Sequence, residues 1–125
     1  MTVPSKPEVE LPAEAPTGEL QIRDITAGDG ATAQAGQQAV VHYVGVAHST
    51  GAEFDASYNR GTPFTFPLGE GRVIAGWDQG VQGMKVGGRR ELIIPPHLGY
   101  GDRGAGGAIK GGETLIFVVD LLDLR

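Results

Sequence analysis

The chain has 125 residues, a formal net charge of −5 and no cysteine. A length of this order predicts one domain with its own core, and the absence of cysteine excludes disulfides, thiol catalysis and thiolate metal sites. The acidic balance argues against nucleic acid or an anionic membrane as the main partner, because both are polyanions.

The first segment, residues 1–18, is rich in Pro, Glu and Ala, with prolines at positions 4, 7, 12 and 16. This composition predicts a flexible or extended acidic leader, and the folded domain is expected over residues 19–125. No apolar core of signal-peptide length is present, and no run reaches the roughly 20 apolar residues of a membrane span. A soluble, cytoplasmic protein is therefore expected.

From residue 20 onward the pattern is typical of strands, because β-branched and aromatic residues concentrate in short segments. The predicted strands are LQIRDI at 20–25, AVVHYVGV at 39–46, a return strand through Phe54, FTFPL at 64–68, RELIIP at 90–95 and TLIFVVDLLDL at 114–124. The last is long and apolar and is predicted to be central, with one face formed by Leu115, Phe117, Val119 and Leu121.

A single short helix is predicted near residues 75–81, with at most about two turns, because Gly83 and the pair Gly87–Gly88 stop it. Five or six antiparallel strands with one helix predict an α+β fold. A single helix covers only part of a sheet, so the sheet must wrap around it. The residues at the start of the helix, including the only tryptophan, Trp77, would then lie at the mouth of the wrap.

The sequence offers little for covalent or metal chemistry. No serine lies in a G-x-S-x-G motif, and the three histidines at 42, 48 and 97 lack metal-ligand spacing, so no metal or cofactor is expected. The glycine loops at 69–76 and 104–112 depart from both the G-x-G-x-x-G and P-loop patterns.

The remaining indication of function is a set of apolar and aromatic residues at turns and at the ends of predicted elements. Val73, Ile74 and Trp77 lie at the helix start, and Tyr100 and Ile109 lie in a glycine-rich loop. Ordinary core packing is the alternative, and considered alone Phe66 and Phe117 favour it. Loop aromatics on a rigid scaffold more often bind a ligand, so a small apolar bowl with a tyrosine hydroxyl at its rim is predicted.

Four ordered blocks resemble the FKBP-type peptidyl-prolyl cis-trans isomerases over residues 20–125: VHYVG, GAEFDASYNRGTPFTFPLGEGRVIAGWDQGVQGMKVGGRRELIIPP, LGYGDRGAGG and ETLIFVVDLL. The resemblance implies a half-barrel of antiparallel sheet wrapped around one short helix. It also implies isomerisation of X–Pro bonds in protein folding, with proline-containing polypeptides as substrates and the macrolides tacrolimus and rapamycin as inhibitors.

The resemblance also implies residue roles. Trp77 would be the floor of a proline pocket, Asp55 would hold Tyr43 and Arg60, and the Tyr100 hydroxyl and the Ile74 N–H would bind carbonyls. The implied catalytic residues are Tyr43, Phe54, Asp55, Trp77, Tyr100 and Phe117. The implied substrate-binding residues are Arg60, Phe64, Val73, Ile74 and Ile109.

The chain departs from the family pattern in three places. It has Ile109-Lys110-Gly111 where the family often has Ile-Pro-Pro, and Arg72 where human-type members commonly have glutamate. Ala105 and Ala108 occupy loop positions at which the family often has larger residues. Two other functions stay open beside the isomerase: a module that binds proline segments or macrolides with incidental turnover, and a general chaperone. A monomer is the expected state for an acidic domain of this size.

Overall fold

The computed structural model describes residues 5–9, 11–12, 17–105 and 109–125. The elements, in chain order, are β1 (Gln21–Thr26), β2 (Gln38–Ala47), β3 (Glu53–Ala56), α1 (Ser57–Arg60), β4 (Phe64–Pro67), α2 (Ala75–Gly80), β5 (Arg89–Ile94), a 3-10 helix (Pro96–Leu98) and β6 (Leu115–Leu124). The six strands form one antiparallel sheet in the order β1-β5-β6-β2-β3, and β4 also pairs with β2. The predicted α+β architecture is confirmed. Within the described ranges, no helix has the length and apolar character needed to cross a membrane.

The central position predicted for the last strand is confirmed, because β6 pairs with both β2 and β5. Its side chains alternate between two clusters. The main core on the concave face contains Leu115, Phe117, Val119 and Leu121, and a smaller cluster on the outer face contains Ile116. The larger apolar core therefore lies on the concave face, between the sheet and α2, and the outer face carries a smaller apolar cluster.

One edge of β2 is shared by two short strands. β4 pairs with residues 38–41 of β2, and β3 pairs with residues 44–46. The single turn of α1 lies between these strands in sequence and ends at Gly61, whose φ of 67° is in the left-handed region. The prediction of a single helix is therefore corrected: α1 was missed because four residues are too few for a helical period to show.

Helix α2 packs unusually close to β5, and two glycines permit this approach. A Cβ at Gly76 would lie 2.5 Å from Ile94 Cγ2, and one at Gly80 would lie 2.7 Å from Leu92 Cδ2. The two positions are four residues apart, so they share one face of the helix. The glycines around Trp77 thus serve close helix–sheet packing as well as turns.

The outer face carries a polar network that we call the outer triplet, formed by Tyr58, Asp120 and Arg89. The Tyr58 hydroxyl donates to Asp120 Oδ2, and Arg89 Nε donates to Asp120 Oδ1 at 2.7 Å. Beside it, His42 is buried, stacks on the Tyr58 ring at 4.4 Å and has its Nδ1 2.7 Å from Ser57 Oγ.

The described part of the leader crosses this outer face without forming a helix or strand. Arg89 donates to the Ser5 carbonyl at 2.8 Å, Lys6 Nζ lies 2.8 Å from Glu53 Oε1, and Val9 packs on the outer apolar cluster. The prediction of a flexible or extended leader did not anticipate these contacts. The boundary at residue 18 stays a prediction.

Candidate functional site

A cavity of about 650 Å³ opens on the concave side of the sheet at the start of α2. Aromatic and aliphatic side chains dominate its wall, and two charged residues reach it. The cavity is lined by Tyr43, Phe54, Asp55, Phe64, Gly71, Arg72, Val73, Ile74, Trp77, Tyr100, Ala105, Ile109 and Phe117. Its composition is that of a small-molecule or side-chain pocket, with a few polar groups among apolar ones.

Trp77 forms the floor of the cavity and is only 4% exposed. Its ring meets Tyr43 at 4.9 Å, Phe117 at 5.3 Å and Phe64 at 6.0 Å, all with the ring planes at 71° or more. Phe66 supports it from the core at 5.4 Å. Edge-to-face contacts of this kind stabilise aromatic pairs beyond the area they bury, so the floor is a rigid apolar surface.

The wall formed by Phe54 and Phe117 depends on a glycine in β2. A Cβ at Gly45 would lie 2.6 Å from Phe117 and 2.7 Å from Phe54, so no other residue fits without displacing a ring. The Phe54 and Phe117 rings then pack edge to face at 5.4 Å. Phe117 therefore belongs both to the core, as expected for it alone, and to the cavity wall.

The polar edge of the cavity is a second network, which we call the inner triplet, formed by Tyr43, Asp55 and Arg60. The Tyr43 hydroxyl donates to Asp55 Oδ2 at 2.6 Å and accepts from Arg60 at 2.9 Å. Arg60 also donates to Asp55 Oδ1 at 2.7 Å, and its guanidinium lies 5.8 Å from the Tyr43 ring centroid. The break between β3 and β4 brings these groups together, since Asp55 is the last residue but one of β3 and Arg60 ends α1.

The inner triplet keeps its charges. Burial by itself would raise the pKa of Asp55, but the hydrogen bonds from Tyr43 and Arg60 outweigh it, so the pKa lies below its ordinary value. Burial, followed by the hydrogen bond to Asp55, raises the pKa of Tyr43. Burial and the charge of Asp55 likewise raise the pKa of Tyr100. Both tyrosines are therefore neutral hydroxyl groups at physiological pH.

The loop before α2 is held by a carboxylate of the helix itself. Asp78 Oδ1 accepts from the Gly69 N–H and Oδ2 from the Gly71 N–H, each at 2.9 Å. The Ile74 carbonyl accepts the first helical N–H of Trp77 at 2.9 Å. These bonds fix the backbone of residues 69–74 and so set Val73 and Ile74 at the rim.

The facing wall comes from the loop after the 3-10 helix. Ala105 and Ile109 exchange two backbone hydrogen bonds, of 2.9 and 3.2 Å, and both line the cavity. The residues between them, 106–108, lie outside the described residues. Gly111 lies directly against the Asp102 carbonyl, where a Cβ would overlap it. The close backbone approach accounts for glycine at this departure from the family pattern.

The cavity brings together ten of the eleven residues predicted for the site. Arg60 does not line it, but it contacts Tyr43 and Asp55 at the edge. Gly71 was missed, and Arg72 and Ala105 were noted only as departures; their adjacency to predicted site residues is the signal that could have found them. Among the described residues, no group of three His, Asp or Glu side chains could hold a metal ion.

Comparisons with known proteins agree on one family. Residues 30–122 match the family model described as FKBP-type peptidyl-prolyl cis-trans isomerase. The chain is 71% identical to the FK506-binding protein of Streptomyces anulatus, over 94% of this chain and 95% of that protein. It is 50% identical to the probable FK506-binding protein of Corynebacterium glutamicum, over 94% and 97% of the two chains. The crystal structure of AtFKBP13 superposes with a TM-score of 0.80 at 42% identity, covering 87% of this chain and 95% of that one.

Proposed function

The chain belongs to the FKBP-type peptidyl-prolyl cis-trans isomerase family, and we propose that the cavity over Trp77 is where it catalyses rotation about X–Pro bonds. The observation that carries this proposal is the combination of a rigid aromatic floor with neutral hydroxyl groups at the rim. Such a site suits a reaction that needs no acid, base or nucleophile. The substrate class is proline-containing polypeptide segments.

The chemistry follows from the amide bond. Rotation crosses a barrier of about 18–20 kcal/mol, because the planar amide is stabilised by resonance. The twisted transition state loses conjugation, so its carbonyl is less polar and its nitrogen more pyramidal. An aromatic cavity that excludes water favours this state over the planar, well-solvated amide. Each ~1.4 kcal/mol of such preference accelerates the reaction about tenfold.

The proposed roles divide between floor and rim. Trp77 and the walls formed by Tyr43, Phe64 and Val73 would hold the prolyl ring. The Tyr100 hydroxyl would donate to the carbonyl of the residue before proline, and the Ile74 N–H to a carbonyl on the other side of the ring. The remaining wall residues, Phe54, Ile109 and Phe117, would exclude water.

The inner triplet would act by positioning. Asp55 and Arg60 hold the Tyr43 hydroxyl from two sides, which fixes the ring that forms one wall. The plain alternative is a surface ion pair, which contributes about 0–1 kcal/mol to stability. A loss of turnover at unchanged stability would favour positioning, and a loss of stability at unchanged turnover would favour the ion pair.

Macrolide binding is part of the proposal. The curated relatives carry the name FK506-binding protein, and the cavity of this chain is large and apolar enough to admit part of such a ligand. We propose that tacrolimus and rapamycin compete with the prolyl substrate.

We also propose that catalysis resides in residues 19–125. The protein is proposed to be cytoplasmic, since its lack of cysteine fits a reducing compartment.

The test is an isomerisation assay on a proline peptide, with and without tacrolimus. We expect catalysis that the drug abolishes, and a two- to tenfold loss of kcat/KM, roughly the value of one hydrogen bond, in Tyr100→Phe. Tyr58→Phe is the matched control, because Tyr58 lies on the outer face, and it should leave turnover unchanged. Tacrolimus binding without catalysis would instead indicate a binding module.

A further inference from the structure

Arg72 is the one cavity-lining residue whose charge is unmatched by any described neighbour. Five other arginines, at 23, 60, 89, 90 and 125, pair with a carboxylate at 3.3 Å or less. Arg72 is exposed, lines the cavity, and makes no ion pair or hydrogen bond with the described part of the chain. A free guanidinium at the rim of an apolar cavity is a group that can meet a charge on the substrate.

The other charged residue of the cavity does not cancel this charge. Asp55 receives two hydrogen bonds, one from Arg60 and one from the Tyr43 hydroxyl, so its carboxylate is already compensated. Among the residues that line the cavity, Arg72 therefore carries the one charge that is not compensated, and it is positive although the chain as a whole has a net charge of −5. A positive rim on an acidic protein favours an acidic substrate segment over a basic one.

The backbone beneath Arg72 is fixed, which gives its charge a defined location. Gly71 has a φ of 70° and its N–H bonds to Asp78, and Ile74, two residues after Arg72, is the N-cap of α2. Where the Ile74 N–H donates to a carbonyl beyond the prolyl ring, as in the proposed function, the next substrate residues leave the cavity past Arg72.

Resting on that proposed function, we propose that Arg72 is a specificity residue that favours prolyl segments with an acidic residue in the first two positions after proline. The side chain is exposed, so the effect is modest: a preference of about threefold to fivefold in kcat/KM for glutamate over lysine at low salt. It should shrink towards unity in about 1 M salt, where the screening length is short.

The test uses three blocked peptides that differ at one position, Ala-Leu-Pro-Xaa-Ala with Xaa as glutamate, alanine or lysine. Turnover and binding are both measured, the latter by the fluorescence of Trp77, the only tryptophan and the cavity floor. Arg72→Glu should reverse the preference to lysine. Lys85→Glu, an exposed site outside the cavity lining, makes the same change in net charge and should keep the wild-type preference.

The outcomes separate this proposal from the one it rests on. Absence of turnover on the alanine peptide would overturn the isomerase function, while the binding ratios would still test Arg72. Equal binding of the glutamate and lysine peptides, or the same ratio in Arg72→Glu as in the wild type, would overturn the role of Arg72. A second pair, Ala-Glu-Pro-Ala-Ala and Ala-Lys-Pro-Ala-Ala, varies the residue before proline, and a preference that appears only in this pair would overturn the position assigned to it.

Discussion

Two Tyr–Asp–Arg triplets lie on opposite faces of the same sheet, and they differ mainly in burial. In each, a tyrosine hydroxyl and an arginine donate to one aspartate. The side chains of Arg89 and Asp120 in the outer triplet are 24% and 6% exposed, whereas those of Arg60 and Asp55 in the inner triplet are 51% and 41% exposed. The outer triplet fills space beneath the leader, and the inner one stands beside an open cavity. The same three groups can therefore serve stability on one face and substrate positioning on the other.

The largest expected effect is on stability, from Asp120→Asn in the outer triplet. Loss of the carboxylate leaves the guanidinium of Arg89 half buried without its counter-charge, and we expect the free energy of unfolding to fall by about 3 kcal/mol. Turnover per folded molecule should stay within about twofold, since Asp120 faces away from the cavity. Urea denaturation and an isomerisation assay measure the two quantities. A loss of stability below about 1 kcal/mol would show that the outer triplet is no more important for stability than an exposed ion pair.

Asp55→Asn makes the same chemical change in the inner triplet, but it should lower turnover and leave stability almost unchanged. We expect kcat/KM to fall about tenfold, because the Tyr43 ring loses the charged acceptor that orients it. The free energy of unfolding should change by less than about 1 kcal/mol, as for other exposed ion pairs. If turnover holds and only stability falls, the positioning role of Asp55 is wrong.

Tyr43→Phe sharpens the comparison further by removing only the hydroxyl. The ring still contacts Trp77 at the floor, but it loses the two hydrogen bonds through which Asp55 and Arg60 hold its hydroxyl. We expect kcat/KM to fall about as far as in Asp55→Asn, roughly tenfold, because both changes release the same wall ring, and the free energy of unfolding to fall by about 0.5–1 kcal/mol. Turnover equal to that of the wild type would show that ring packing alone positions this wall.

The smallest expected effect is a dependence of stability on pH, and it arises from His42 on the outer face. Burial holds the pKa of His42 below its ordinary value of 6.5, with partial compensation by Asp120. The unfolded chain therefore binds a proton at His42 that the folded chain does not, and the free energy of unfolding should fall as the pH is lowered through 6.5. Thermal unfolding at about pH 7.5 and 5.5 measures the change in stability, and His42→Gln should reduce it.

The inner triplet provides the contrast in that pH window. The pKa of Asp55 lies below 3.8, so its carboxylate stays charged throughout, and turnover per folded molecule should be flat. A fall in turnover that parallels the fall in stability would indicate that the two faces are coupled.

The sequence predicted the strands and most of the cavity for physical reasons. Alternating β-branched and aromatic residues specify a strand locally, and the ordered blocks around Trp77 place the site by resemblance to a family. What escaped prediction depends on contacts between distant residues. Tyr58 meets Asp120 across 62 positions, and Arg89 bonds to the Ser5 carbonyl across 84. No local pattern encodes either of these contacts.

The contact between α2 and β5 has a consequence for redesign of this protein. Because the backbone at Gly76 and Gly80 rests on Ile94 and Leu92, the depth of the cavity is set by main chain and cannot be adjusted by choosing other rotamers. The exposed side chain of Arg72 carries no such restriction. Variants meant to change which proline-containing sequences are processed should therefore keep Gly76 and Gly80 and diversify position 72 at the rim.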